Sequence, residues 1–345
     1  MTDHDLAGLG WSAHFARQLG DGDRGLAPAR LSEVHRDRLR ALTPKGAIGL
    51  LPSDPTGAYA VGDWVLGDGT RAVRRLEPTS DLTRRAAGRE AKLQRIAANV
   101  DTLGIVTSCN ADFNIARLER YLALAHTAGC LPLVVLTKAD MAEDAGDYLR
   151  RAERLSPLVT AVALDATDPQ EVTRLAPWCK GGQTLALVGS SGVGKTTLRN
   201  ALTGEEAGTQ GIREDDAKGR HTTTSRSLVP TRAGGWLIDT PGMRELQLAD
   251  ADEGIGGVFA DIEDLARDCR FRDCAHSGEP GCAVQKAIGS GTLDPDRLSR
   301  WEKLRREDRY NSETVAEARA RGKAFGKMVR EISTSKKRRH DPGAP

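Results

Sequence analysis

Four short stretches of this chain combine residue types and spacings that could do chemistry. The run GSSGVGKTT comprises Gly189, Ser190, Ser191, Gly192, Val193, Gly194, Lys195, Thr196 and Thr197. It fits G-x-x-x-x-G-K-[ST], follows a strand-like TLALV and opens a helix-like TLRNAL, the context that separates a phosphate loop from a chance match. Glycines let backbone N–H groups turn inward around phosphate oxygens, and the helix behind them offers its positive end. Lys195 is placed to reach β- and γ-phosphates, and Thr196 to ligate Mg²⁺. The plain alternative is a glycine-rich turn without a ligand. DTPG, Asp239 to Gly242, follows a second strand-like stretch, GWLI. It suits an aspartate that holds Mg²⁺ through water and a Gly242 N–H that meets the γ-phosphate.

TKAD carries Thr137, Lys138 and Asp140 behind the apolar LPLVVL. The Asp140 carboxylate can accept from the paired N–H donors of a guanine edge while the Lys138 stem lies along the ring. Adenine lacks that donor pair and would leave the carboxylate unpaired. By itself TKAD is equally a strand-to-helix cap; beside two phosphate motifs it specifies GTP and GDP. The fourth stretch, CRFRDCAHSGEPGC, sets Cys269, Cys274, His276 and Cys282 in C-x₄-C-x-H-x₅-C. Three thiolates and an imidazole suit one tetrahedral Zn²⁺ with a closed, structural ligand set.

The order of these motifs is unusual, because the base-reading loop precedes the phosphate loop by some fifty residues. If every loop sits at the carboxyl end of a strand in one parallel sheet, the order can be permuted and the loops still meet. The elements needed are visible: from about residue 98 to 249, apolar runs alternate with amphipathic helical stretches, which predicts a mostly parallel sheet flanked by helices. Before it, residues 27–75 break short apolar stretches with Gly, Pro, Asp and Thr, predicting a small β-barrel. After residue 248 the pattern becomes helical and charged. The expected organisation is an extension (1–24), a small β-barrel for which an OB-fold is one reading (25–92), a circularly permuted α/β P-loop GTPase domain (93–249), a helical zinc-binding domain (250–333) and a basic disordered tail (334–345).

Composition restricts the partners. The 345 residues have a net charge of only +2 with 28% charged, so local patches matter more than the sum. Arg30, Arg36, Arg38, Arg40, Lys45, Arg71, Arg74, Arg75, Arg84, Arg85 and Arg89 crowd the barrel and its exit. They form either a phosphate-binding face or a solvated one. Tyr59 and Trp64 are the only aromatics in the barrel segment, a poor supply for base stacking. Cys109, Cys130 and Cys179 adjoin apolar runs and are expected to be buried reduced thiols. No stretch has the length and apolarity of a membrane helix, and MTDHDLAG lacks a signal-peptide pattern, so a cytoplasmic protein without a membrane partner is expected.

VGDWV, QRIAANVD, LTKAD, GSSGVGKTTL, GRHTTT, DTPG and the cysteine cluster together resemble the RsgA (YjeQ/YloQ) family of circularly permuted, small-subunit-dependent GTPases, over roughly residues 27–287. The resemblance implies a monomer that binds the small ribosomal subunit and its rRNA late in maturation and hydrolyses GTP when stimulated by it. It also implies that Thr222 or Thr223 of GRHTTT is the switch threonine that reaches Mg²⁺. The family's Ser-Ala loop should fall near VALDATD, which does not match it, and Thr137 replaces the commoner Asn, with expected loss of a tie to the phosphate loop. Met243 follows Gly242 where many GTPases place a water-orienting Gln. The nearest replacement in sequence is His221, which either positions water or merely stabilises its loop or contacts RNA. Two other readings are a GTP-gated RNA-binding assembly scaffold in which hydrolysis only resets the protein, and a P-loop kinase, against which TKAD and DTPG argue.

Overall fold

The computed structural model describes residues 5–85, 93–157, 159–205, 226–239, 248 and 250–312. A short helix α1 (Ala13–Ala16) precedes strands β1 (Ala27–Val34), β2 (Leu39–Thr43), β3 (Gly46–Pro52), β4 (Trp64–Gly67) and β5 (Arg71–Arg75). These close into a barrel in the order β1-β2-β3-β5-β4, with β4 pairing back onto β1 and β3 running parallel to β5. This is an OB-like barrel. Ala29, Leu31, Leu39, Ala41, Leu50, Val65 and Ala72 fill its interior, the alternating set that a pleated strand directs to one side. β4 is buried on both faces. Val65 enters the barrel core, whereas Trp64 and Leu66 belong to a second, larger core shared with the following sheet.

The N-terminal extension seals that second core. Trp11 meets Trp64 edge-on with ring centroids 4.8 Å apart, and Phe15 packs on the same ring at 5.8 Å. Trp64 and Tyr59 are buried, so neither aromatic of the barrel offers a face for base stacking. Arg30 is buried too, and donates to Leu9 O (2.6 Å), Asn99 O (3.2 Å) and Thr184 Oγ1 (2.6 Å). Burial pushes its pKa down to about 10. Arg74 forks onto Asp23 at 2.9 and 2.7 Å, and Arg75 pairs with Asp63 at 3.6 Å. The basic face expected from the sequence therefore loses Arg30, and two of its members, Arg74 and Arg75, are internally engaged. Arg36, Arg38, Arg40, Lys45 and Arg71 are exposed.

A hairpin of β6 (Asp81–Arg85) and β7 (Leu93–Ala98) leads into a six-stranded sheet. Its elements are β8 (Thr102–Ser108), α2 (Ile115–Thr127), β9 (Leu131–Thr137), α3 (Ala145–Glu153), β10 (Thr160–Ala163), α4 (Pro169–Val172), β11 (Thr184–Gly189), α5 (Lys195–Thr203), β12 (Ser227–Pro230) and β13 (Trp236–Asp239). The spatial order is β10-β9-β8-β11-β13-β12. All neighbours are parallel except β12, an antiparallel edge strand that the sequence analysis did not anticipate. The central strands are continuously apolar because both faces are covered. Leu198 and Leu202 of α5 pack on one face, and Leu118 and Leu122 of α2 on the other.

Four helices follow among the described residues: α6 (Asp252–Val258), α7 (Ala260–Arg267), α8 (Ala283–Gly289) and α9 (Pro295–Ser312). α6 lies against α2 so closely that a Cβ on Gly254 would come within 2.4 Å of Ala123 O. α9 is tied to α2 by Glu119, a buried carboxylate that accepts from Arg297 Nη1 (3.0 Å) and Arg300 Nε (2.8 Å). Cys109, Cys130 and Cys179 are buried free thiols, and burial drives the Cys130 pKa up to about 12.

Candidate nucleotide and metal sites

The parallel register brings the two nucleotide motifs to one edge of the sheet. Val106 of β8 stands opposite Gly189 of β11, and Ser108 of β8 opposite Thr137 of β9. The phosphate loop leaving β11 and the base loop leaving β9 thus flank β8 at its carboxyl end, where strand order reverses and ligands of open α/β sheets bind. A Cβ on Gly189, whose φ is +142°, would lie 2.1 Å from Val106 O, so only glycine lets the loop depart there. Gly194 (φ +88°) occupies the N-cap of α5 with no side-chain cap. No side chain caps the helix's first N–H groups, an arrangement that phosphate binding uses. Lys195 Nζ turns back onto the carbonyls of Gly189, at 2.8 Å, and Ser190. Val193 is buried beneath the loop, while Ser191, Gly192 and Thr196 are exposed and Thr197 is half-buried.

Thr137 corrects one sequence expectation. Its hydroxyl is fully buried, 2.7 Å from Val193 O and 3.1 Å from Thr107 O. One O–H proton serves one acceptor, and the shorter contact goes to the phosphate loop. The tie between the base loop and the phosphate loop is retained, through a hydroxyl in place of an amide. Lys138 adopts φ +57°, which turns the chain so that Asp140 stands exposed in a 3₁₀ turn, Ala139–Met141. Leu164 N–H donates to Leu136 O (2.9 Å) and Leu164 O accepts from Ala139 N (3.3 Å). Asp165 and Ala166 therefore lie beside TKAD, where the Ser-Ala loop was sought. The Asp165 carboxyl is held below its ordinary pKa by the Thr167 hydroxyl and N–H, at 2.7 and 2.8 Å.

Sequence reasoning missed the residues that join the barrel to the amino-terminal end of the sheet. Asp63 of VGDWV is fully buried, accepts from Ala60 N (2.7 Å) and takes the fork of Arg95, at 2.6 and 3.1 Å. Asn99, at φ +56°, accepts from Thr79 N (2.9 Å) and donates to Gly62 O (3.0 Å). Asp101 accepts from Thr184 N at 2.7 Å, at the start of the phosphate-loop strand. VGDWV and QRIAANVD thus carry a polar clasp between barrel and sheet. The available signal was polar residues inside apolar runs. Arg117, also missed, places Nη1 2.5 Å from Ser190 Oγ.

Cys269, Cys274, His276 and Cys282 converge, with all ligand atoms within 4.8 Å of one another. Cys269 Sγ lies 3.9 Å from Cys282 Sγ, and His276 Nδ1 lies 3.7 and 3.5 Å from those two sulfurs. Bonds of about 2.3 Å to sulfur and about 2.0 Å to nitrogen give tetrahedral edges of roughly 3.5–3.8 Å, so the donor set fits one tetrahedral metal. The buried His276 is turned by φ +57°, its carbonyl accepts from Gln285 Nε2, and its ring packs on Trp301 at 5.8 Å. Of the remaining expected site residues, Asp239 ends β13 but its side chain lies outside the described residues. His221, Thr222, Thr223 and Gly242 lie outside them altogether.

A six-stranded sheet whose phosphate loop enters after its base loop, joined to an OB-like barrel and a Cys₃His module, defines a circularly permuted P-loop GTPase. The chain belongs to the RsgA GTPase family, whose description matches residues 75–249. It is 53% identical over 323 residues to "Small ribosomal subunit biogenesis GTPase RsgA" of Mesorhizobium japonicum, covering 89% of this chain and 91% of that protein. It is 48% identical to "Small ribosomal subunit biogenesis GTPase RsgA 2" of Vibrio vulnificus, over 97% of each chain. Its fold is similar to the crystal structure of YjeQ from Thermotoga maritima (TM-score 0.60, 24% identity, 81% of this chain and 97% of that one). It is also similar to that of YloQ, described as a circularly permuted GTPase (TM-score 0.59, 21% identity, 86% and 99%).

Proposed function

We propose that this protein is a GTPase of small ribosomal subunit biogenesis, binding the subunit and its rRNA and turning over GTP faster when bound. The observation that carries the reading is the convergence of GSSGVGKTT and TKAD on one sheet edge, tied by Thr137 to Val193, in a chain 53% identical to a protein named for that role. In this reading Gly189–Thr197 cradles the phosphates, Lys195 meets the β- and γ-phosphates, and Thr196 and Asp239 hold Mg²⁺. Lys138 and Asp140 read guanine; Gly242 and Thr222 or Thr223 sense the γ-phosphate; His221 orders the attacking water. The Cys₃His cluster holds one structural Zn²⁺. The exposed barrel cations contact rRNA phosphate, and the protein works as a cytoplasmic monomer.

In this reading residues 25–92 contact RNA, 93–249 carry the nucleotide chemistry and 250–333 form the zinc-binding helical domain. The test is multiple-turnover GTP hydrolysis by the purified protein alone, with small subunits and with large subunits, alongside competition of GTP binding by GDP and ATP. Stimulation by small subunits alone, with ATP failing to compete, is the expected result. Equal competition by ATP would overturn the reading of Asp140, and stimulation by neither subunit would overturn the assignment to the ribosome.

A further inference from the structure

The half-buried arginines of this protein meet carboxylates almost wherever they occur. Arg95 forks onto Asp63, Arg297 onto Asp261 and Glu119, Arg300 onto Glu119, and Arg120 onto Glu307. Arg117 departs from this pattern. Its side chain leaves the first turn of α2, where Asn114 caps the helix by accepting from Arg117 N at 2.9 Å, and runs to the phosphate loop. There Nη1 lies 2.5 Å from Ser190 Oγ and 3.5 Å from Asp112 O, and no carboxylate pairs with it among the described residues. Ser190 is also the residue whose carbonyl receives Lys195 Nζ. Two cations therefore converge on one residue of the loop. A guanidinium carries five N–H donors in a fixed fork matched to a phosphate, and Ser190 Oγ uses one of them.

We propose that Arg117 is a phosphate-binding residue of the nucleotide site, an arginine supplied within the chain that contacts the terminal phosphate of GTP and distinguishes it from GDP. Asn114 and the capped turn set the position of its backbone, and the Ser190 hydroxyl sets the reach of its side chain. Its charge supplements Lys195 in a protein whose sequence has Met243, an apolar residue, directly after the γ-phosphate glycine. When water attacks the γ-phosphorus and the bond to the β-phosphate oxygen breaks, the bonding pair passes to that oxygen. Arg117 itself exchanges no proton; its contribution is positive charge beside the transferred group. The proposal rests on the reading of this edge as a GTP site.

The experiment measures equilibrium binding of N-methylanthraniloyl-GDP and of the β,γ-imido analogue of GTP to the intact protein and to Arg117→Ala, Arg117→Lys and Ser190→Ala. Removal of a charge-assisted phosphate contact predicts that Arg117→Ala binds the imido analogue about tenfold more weakly while GDP affinity changes by less than about twofold. Arg117→Lys keeps the charge without the fork and should restore part of that difference; Ser190→Ala should weaken the analogue more than GDP. Equal losses of both nucleotides in Arg117→Ala would make Arg117 a brace of the loop and overturn the proposal. So would unchanged binding of both. If wild-type protein binds neither nucleotide, the GTP-site reading itself is what fails. Arg117 is half-exposed, so folding of the variants is checked by an unchanged thermal midpoint without nucleotide.

Discussion

Replacing Glu119 by Ala should detach the C-terminal helices from the sheet at a cost that the contacts allow to be worked out. Glu119 is fully buried on α2 and accepts two charge-assisted hydrogen bonds, from Arg297 and Arg300. Such bonds are worth about 1.5–3 kcal/mol each, and removing one member of a buried ion pair costs about 3–5 kcal/mol because the partner charge is stranded. Here the stranding is partial. Arg297 keeps a bidentate contact with Asp261 at 2.7 and 2.9 Å and also donates to Val258 O, while the Arg300 side chain is 22% exposed and can turn to water. The lower end applies, about 3 kcal/mol for Glu119→Ala, and about half of that for Glu119→Gln, which keeps one carbonyl acceptor. Urea unfolding followed by circular dichroism gives the stability change, and a double-mutant cycle with Arg300→Ala isolates the pair. A coupling energy below about 0.5 kcal/mol would refute the reasoning, since the carboxylate would then be packing filler and not the anchor of α9.

Thr137→Val keeps the side-chain shape but leaves Val193 O without its donor, so stability should fall by about 1–3 kcal/mol and GTP and GDP affinities should fall by the same factor. Selective loss of one nucleotide, measured by isothermal titration, would contradict a purely geometric tie. Stripping the metal with a chelator, or Cys274→Ser, should abolish metal content and the protease resistance of residues 250–312 while nucleotide binding persists, because metal binding there is folding free energy. Reversing exposed Arg36, Arg38 and Lys45 to Glu should weaken RNA binding and flatten its salt dependence by about 0.7–0.9 for each phosphate no longer neutralised, read from filter binding over a salt series. Reversing Arg74 should instead lower stability, because it breaks the fork onto Asp23. That ion pair also sets a pH dependence. Backbone donation from Gly20 and the Arg74 guanidinium hold the Asp23 pKa below its ordinary value of 3.8, so its stabilising effect is present above that pH. It is lost as pH falls through the folded value, and Asp23→Asn should make the acid limb of a thermal-midpoint profile shallower.

The chemistry was legible in the sequence because it is local. A phosphate loop needs its glycines, lysine and threonine within eight residues, and a Cys₃His centre needs four donors within a short turn-rich loop, so spacing alone carries both. The alternation of apolar runs and helical stretches carried the parallel sheet for the same reason. What the sequence hid is what depends on residues far apart. Arg30 looked like one more cation on a basic strand, yet its partners are Leu9, Asn99 and Thr184, the last of them 154 residues away. Nothing in its neighbourhood distinguishes it from Arg36, because burial is decided by what folds over the strand. The same holds for Thr137: read as a lost amide, it turned out to reach Val193, 56 residues on, and only the register of β9 against β8 and β8 against β11 places them together. Such contacts are the rule in an open α/β sheet, because loops leaving different strands form one site from groups far apart in sequence. Their coupling is therefore left to hydroxyls and guanidiniums whose sequence context is ordinary. Arg117 stands in this class, between a helix cap three residues before it and a phosphate loop 73 residues after it.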